Sequence, residues 1–142
     1  MNKTGEKNDA FYASTPPLEA KKMLFSQFAS EKNRKGKPLR LSFVDVRKVY
    51  FNGKPTRNIF MQFPKELGLA PILVGKLVRC AYGCRDAGYI WEECYRAALL
   101  ASGFQAGKGS PCCFYHSVRN ISVVVHGDDF TALGTDDDLN YY

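Results

Sequence analysis

Two acidic signatures at the ends of strand-like runs constrain the fold more than any other feature of this sequence. Asp45 ends an alternating run that begins at Leu39, and the doublet Asp128-Asp129 follows soon after the apolar run 121–125. Because side chains alternate along a strand, Asp45 shares the parity of the apolar residues before it and is expected to point inward. A buried charge without a partner is costly, so we expect a metal ion or a basic group opposite Asp45.

The order of the predicted elements indicates an α+β fold. The charged segment 31–38 is expected to be a loop, and residues 64–75 are expected to be irregular. The predicted elements are, in chain order, a helix over 14–29, strands from Leu39 and over 58–63, a helix over 86–102, and short strands over 112–116, 121–126 and 130–133. We expect an antiparallel sheet with helices packed on one of its faces.

The first predicted helix has distinct ends and faces. Its start is indicated by a hydroxyl cap and a proline in the first turn, at residues 14–16. Its spacing predicts an apolar face formed by Leu18, Leu24, Phe25 and Phe28, with Lys21 and Lys22 pointing outward.

The length of 142 residues is enough for one domain with a hydrophobic core. We expect a disordered polar N-terminus over 1–13, the folded domain over 14–135, and the truncated start of another element over 136–142. The acidic triplet 136–138 suits the first turn of a helix, where negative charge is favourable, and we interpret it as a cap without a catalytic role.

The acidic doublet is expected at the tip of a hairpin. Adjacent residues of a strand face opposite ways, so both acids can reach one site only if the chain turns there, and Gly127 gives the backbone that freedom. An ordinary acidic turn is the alternative, because Gly-Asp-Asp is a common turn composition. If the acids do meet, three carboxylates at strand ends are the oxygen ligands that a pair of Mg²⁺ ions requires.

The charge of the chain is unevenly distributed. The net charge of +6 arises from nine basic and four acidic residues over 1–40, ten and five over 41–110, and one and five over 111–142. A basic body attracts polyanions such as nucleic acid. A solvated basic surface without such a partner remains the alternative.

The cysteine pattern and the hydropathy indicate an intracellular protein. Five cysteines, an odd number, do not form a regular disulfide framework. A zinc site could be imagined from Cys80, Cys84, Cys112, Cys113 and His116, but no matching CxxC pairs support it. The sequence has no apolar run long enough to span a membrane and no signal-peptide core at its start, so we expect a cytoplasmic or nuclear location without membrane contact.

Four motifs in the same order resemble the reverse transcriptase of copia-type LTR retrotransposons. Residues 45–53 (DVRKVYFNG) and 59–64 (IFMQFP) resemble the first catalytic motif of that family. Residues 76–91, with KL, AYGCRDA and a tryptophan, are similar to its KLKKSLYGLKQAPRQW block, and 103–114 (GFQAGKGSPCCF) to its next conserved stretch. Residues 125–129 (VHGDD) occupy the place of its YVDD box. The resemblance covers roughly residues 10–135 and implies a polymerase palm-like sheet with partial fingers and no thumb.

The resemblance also implies roles for individual residues. Asp45, Asp128 and Asp129 would be the catalytic carboxylates that hold two Mg²⁺ or Mn²⁺ ions, with the backbone oxygen of Val46 completing the metal shell. The residues implied to bind the nucleotide are Tyr50 as the gate against a ribose 2′-hydroxyl, Tyr82, Gly83 and Arg85; the residues implied to contact the primer are His126 and Gly127. A core tyrosine is the alternative for Tyr50. The implied partners are an RNA template, a DNA primer, a dNTP and other segments of a Pol polyprotein.

Departures from the family pattern leave the activity open. His126-Gly127 replaces the usual Tyr-Val, and Gly88 replaces a proline. The basic fingers segment and the thumb of the family are not recognisable in the chain. We therefore expect an RNA-directed DNA polymerase palm fragment of a copia-type element, with a catalytically inactive nucleic-acid-binding module as the alternative and an unrelated basic α+β domain as the third.

Overall fold

The computed structural model describes residues 13–31, 33–34 and 36–141. Of the predicted disordered N-terminus, only Ala13 lies among the described residues. The helices are α1 (Leu18–Ser30), α2 (Ala87–Ala101) and α3 (Asp136–Leu139), with 3-10 helices at Val49–Asn52 and Lys65–Leu67. The strands are β1 (Asn33–Arg34), β2 (Lys37–Asp45), β3 (Phe60–Gln62), β4 (Val74–Lys76), β5 (Gln105–Ala106), β6 (Cys113–His116), β7 (Ile121–His126) and β8 (Asp129–Thr135). No helix in the described part of the chain is both long and apolar enough to cross a membrane.

The chain divides into two compact units, and the division falls within α2, between Cys94 and Tyr95. The sheet unit contains residues 14–47 and 95–141, and the linking unit contains Ala13 and residues 48–94. The sheet unit has six antiparallel strands in the order β1-β2-β8-β7-β6-β5. The predicted mixed α and β content and the antiparallel meander of the last strands are confirmed.

Helical residues cover both faces of this sheet, so the expectation of helices on one face is wrong. On one face, Leu24 of α1 packs in a core cluster with Val124 and Leu133. On the opposite face, the ring of Tyr95 in α2 makes edge contacts with Phe114 at 6.1 Å and Phe130 at 5.7 Å between centroids.

The reason for two-sided cover lies in the central strand β7. Val123, Val124 and Val125 are all buried, although successive residues of a strand point to opposite faces. A strand that is apolar on both sides requires a packed layer on each of them. The continuous valine run was the sequence signal for this arrangement.

The first helix differs from its prediction at its start and on its apolar face. Pro17 is the N-cap and no side chain caps the helix, so the expected hydroxyl cap is wrong. Leu24 is buried, whereas Leu18, Phe25 and Phe28 are exposed. The buried face of α1 is therefore narrower than the predicted apolar face, because one turn of the helix packs against the core cluster.

The charged segment after α1 forms a hairpin of β1 and β2, so the expectation of a loop is wrong. Arg34 is buried there, bonded to both carboxylate oxygens of Glu31 at 2.9 and 3.0 Å and to the carbonyl oxygen of Asn120 at 2.7 Å. The hydrogen bonds satisfy a guanidinium that would otherwise be costly to bury. The charge of Arg34 is therefore satisfied by contacts within the fold.

The acidic triplet forms the first turn of α3, as predicted. The hydroxyl of Thr135 accepts a hydrogen bond from the backbone N–H of Asp138 at 3.4 Å. Asp136 lies 3.5 Å from Arg40, and Asp137 forms an ion pair with Lys37. The cap itself is therefore Thr135, and the triplet supplies the acids of the first turn.

In the linking unit, β3 and β4 form a two-stranded antiparallel hairpin. Strand β3 was predicted, whereas β4 falls partly within the segment 64–75, which was expected to be irregular. A separate core cluster contains Cys80, Ala87 and Ile90. The Cβ of any larger residue at Gly53 would lie 2.4 Å from Cγ2 of Ile90, so the close packing of this loop requires glycine.

Candidate functional site

The central feature of the sheet unit is the pairing of two predicted catalytic acids. β2 lies beside β8, and in their register Asp45 is the direct partner of Asp129. The backbone N–H of Val46 donates to the carbonyl oxygen of Asp128 at 3.0 Å. This bond lies one position beyond the acids, so the acid pair occupies a non-hydrogen-bonded position, where Cα atoms are about 4.5 Å apart and side chains are close.

The acidic doublet lies at a hairpin tip, as predicted. β7 and β8 are joined by Gly127 and Asp128, and His126 is the partner of Asp129. Gly127 has a φ of +65°, a conformation that glycine adopts at little cost in a two-residue turn. Asp128 is exposed in the turn.

The register places His126 in line with the acid pair. Asp45, Asp129 and His126 occupy matched positions on three adjacent strands, so their side chains share one face of the sheet. It is the face on which α1 packs, because Leu39 and Leu133 have the same parity as the acids.

Both paired acids line a cavity of about 230 Å³ beside α1. Asp45 is exposed, so the expectation that it is buried is wrong. The core cluster along β2 extends to Leu41 and leaves the end of the strand open to solvent.

Lys21 and Phe25 of α1 line the same cavity. The ring of Phe25 lies 6.4 Å from that of Phe43, measured between centroids. Lys21 was predicted from the sequence to point outward and was not predicted as a site residue. The available signal was its spacing of four from Phe25, which places both residues on one side of the helix.

The electrostatics of the pair are those of two like charges held together. Among the described residues, neither carboxylate of Asp45 and Asp129 has a hydrogen bond or ion pair, and Lys21 is the cation of their cavity. Opposed like charges on neighbouring strands are unfavourable. Two carboxylates with unengaged oxygens are suitable ligands for a hard divalent cation.

The third predicted carboxylate, Asp128, lies in the turn next to the pair. Within the described ranges, no group of three or more His, Cys, Asp or Glu side chains is arranged to hold a metal ion. The structure thus brings two of the three predicted carboxylates into direct opposition and places Asp128 in the adjoining turn. All five cysteines are free thiols.

The predicted nucleotide-binding residues lie in the linking unit. Tyr50 is half-buried against the cluster of Cys80 and Ile90, and its ring is 4.9 Å from that of Tyr82 in an edge contact. Gly83 has a φ of +90°, and Arg85 is exposed. The structure therefore brings the rings of the two tyrosines into contact, although they are far apart in the sequence.

A buried carboxyl group anchors the start of α2. The hydroxyl of Thr56 donates to Asp86 at 2.7 Å, and this bond, aided by the charge of Arg57, lowers the pKa of the Asp86 carboxyl despite burial. Burial raises the pKa of the Cys80 thiol, and the nearby Asp86 charge adds to the effect. Cys80 is therefore a poor nucleophile at neutral pH.

The comparisons with protein families, with curated proteins and with solved structures give no match to this chain.

Proposed function

We propose that the chain is a palm-like part of an RNA-directed DNA polymerase of the copia-type reverse transcriptase kind. The observation that carries the proposal is the register of β2 with β8, which sets Asp45 directly opposite Asp129 at the open end of two adjacent strands. By resemblance, the ordered motifs of the sequence assign the same acids to the catalytic positions of that family. The order of the motifs and the pairing of the strands thus both support the same pair.

The donor chemistry of the pair suits the ions that such an enzyme uses. Asp45 and Asp129 would hold divalent cations, with Asp128 in the adjoining turn as the third carboxylate. Two bound Mg²⁺ or Mn²⁺ ions would activate a primer 3′-hydroxyl and stabilise the charge that develops on the α-phosphate of a dNTP. His126 lies on the same face as the pair, where it would contact a primer end.

The fold itself would supply positioning. The β7–β8 hairpin and β2 are held in one continuous ladder, so the acids do not depend on a loop for their separation. Rigid placement of metal ligands is the main contribution a protein makes to phosphoryl transfer. The glycine at the turn keeps Asp128 next to the pair.

Primer extension on an RNA template with Mg²⁺ or Mn²⁺ tests this proposal. We expect the native chain to extend the primer, and Asp45→Asn or Asp129→Asn to reduce extension by about 100-fold or more. Asp136→Asn is the matched control, because it removes an exposed carboxylate at the other end of β8.

Circular dichroism of each variant shows whether it is folded. Extension that is unchanged in Asp45→Asn and Asp129→Asn would contradict the proposed site. A folded native chain that binds RNA but extends no primer would favour the inactive binding module instead.

A further inference from the structure

A second cavity, in the linking unit, is lined by positive charge. It has a volume of about 430 Å³ and is lined by Lys54, Pro55, Arg57, Asn58, Lys76, Leu77 and Val78. All three cationic side chains are exposed. Three cations and an amide around one cavity form a surface that favours an anionic ligand.

Hydrogen bonds to backbone atoms join the two segments that line this cavity, residues 54–58 and 76–78. The N–H of Cys80 donates to the carbonyl oxygen of Gly53 at 2.9 Å, and the N–H of Leu77 donates to that of Ile59 at 2.9 Å. The guanidinium of Arg79 donates to the carbonyl oxygen of Asn52 at 3.0 Å. The backbone that carries the cations is therefore held in place before a ligand binds, which lowers the entropy lost on binding.

The surrounding charge reinforces the cavity. From residue 48 to residue 85 the chain has one acid, Glu66, against seven basic residues, which are Lys48, Lys54, Arg57, Lys65, Lys76, Arg79 and Arg85. Among the described residues, the cavity cations form no ion pair. The acid that interacts with the cluster is the buried Asp86, close to Arg57.

An exposed aromatic ring lies beside one of these cations, Lys76. Phe60 is the direct partner of Lys76 in the β3–β4 hairpin, so both side chains project from the same face. The Phe60 side chain is 58% exposed. A cationic groove next to an exposed ring is the arrangement that binds single-stranded nucleic acid, because phosphates meet the cations and a base stacks on the ring.

We propose that this cavity binds the phosphate backbone of single-stranded nucleic acid through Lys54, Arg57 and Lys76, with a base stacked on Phe60. The inference does not rest on the proposed catalysis, since it needs neither the acid pair nor a divalent cation. It assigns to the linking unit a binding site of its own.

Fluorescence anisotropy with a labelled single-stranded RNA oligonucleotide, over a range of salt concentrations, tests the site. Replacing Lys54, Arg57 and Lys76 together by Gln should weaken binding at least tenfold and reduce the salt slope by about 2, since each lost phosphate contact contributes about 0.7. The matched control replaces Lys22, Arg40 and Lys65 by Gln, which removes the same net charge outside the cavity. This control should retain most of the affinity and of the salt slope.

Three further arms test the chemistry of the ligand and the integrity of the fold. Phe60→Ala should weaken binding about fivefold or more if a base stacks there. A charge-preserving triple variant, Lys54→Arg with Arg57→Lys and Lys76→Arg, should bind nearly as the native chain does, which separates loss of charge from loss of fold. Inorganic phosphate, at constant ionic strength, should compete only weakly with the oligonucleotide.

Equal loss of binding in the cavity triple and the control triple would overturn the inference, because general charge would then explain the affinity. Full competition by millimolar inorganic phosphate, with no effect of Phe60→Ala, would also overturn it in favour of a simple phosphate site. Activity of the acid-pair variants has no bearing on either result. Failure of this site and failure of the proposed polymerase are therefore distinguishable.

Discussion

Removing one charge of the acid pair should stabilise the protein when no divalent cation is present. Asp45 and Asp129 face each other at a non-hydrogen-bonded position, with no bonded partner among the described residues. Two unit charges about 5 Å apart in water repel by about 0.8 kcal/mol, and measured pairs on neighbouring strands fall between about 0.2 and 1 kcal/mol. We expect Asp45→Asn or Asp129→Asn to raise the free energy of unfolding by about 0.5–1 kcal/mol.

The size of the effect is within reach of thermal denaturation. A gain of that size corresponds to a midpoint that is higher by about 1–4 °C for a chain of this length. Each single variant relieves the same repulsion, so the double variant should gain little more than either single one. Asp136→Asn, which removes an exposed acid that lies 3.5 Å from Arg40, should not raise the midpoint.

Addition of Mg²⁺ should reverse the order of stability. A cation that binds the pair stabilises the native chain by mass action, and it should have little effect on the single variants. The reasoning would be refuted if Asp45→Asn and Asp129→Asn lowered the midpoint without metal. It would also be refuted if their effects were simply additive in the double variant.

Three further predictions concern the scaffold. Thr56→Val should cost about 1.5–3 kcal/mol of unfolding free energy at neutral pH, because it removes the hydrogen bond that lowers the pKa of Asp86. The stabilisation from this lowered pKa is present above the ordinary carboxyl value of 3.8 and is lost as pH falls through the folded pKa. Urea titrations at several pH values check this, and an equal cost at pH 3 would contradict it. Leu133→Ala should destabilise by about 2–5 kcal/mol, since Leu133 is fully buried in the core under α1, and a urea midpoint that is unchanged would contradict the packing. Gly127→Ala should cost about 1–2 kcal/mol because of its positive φ, whereas Gly109→Ala, with open space around it, should be nearly neutral; equal thermal midpoints for these two variants would argue against the turn.

Local patterns predicted the elements whose cause is local. The helical spacing of apolar residues such as Ala87, Ile90 and Trp91, with Gly103 after the last of them, predicted α2. The freedom of Gly127 predicted the hairpin of β7 and β8. The glycine in Val74-Gly75-Lys76 concealed β4, because a short strand with a central glycine has little strand propensity of its own. The Cβ of a larger residue at Gly75 would lie 3.0 Å from the ring of Phe63, and that packing is tertiary.

The candidate site depended on contacts that the sequence does not encode locally. Nothing near Asp45 indicates that its strand will pair with the strand of Asp129, since that choice depends on the burial of both sheet faces. Lys21 was misplaced for the same reason, because the course of α1 over the sheet is set by Leu24. Sequence order identified the acids, and strand pairing brought two of them together.

Titration with Mn²⁺, followed by electron paramagnetic resonance, tests the pairing of Asp45 and Asp129 most directly. The technique reports bound metal without requiring catalysis. The account predicts that the native chain and Asp136→Asn bind Mn²⁺, and that Asp45→Asn and Asp129→Asn each lose this binding. Mn²⁺ binding that is the same in all four folded proteins would contradict the account.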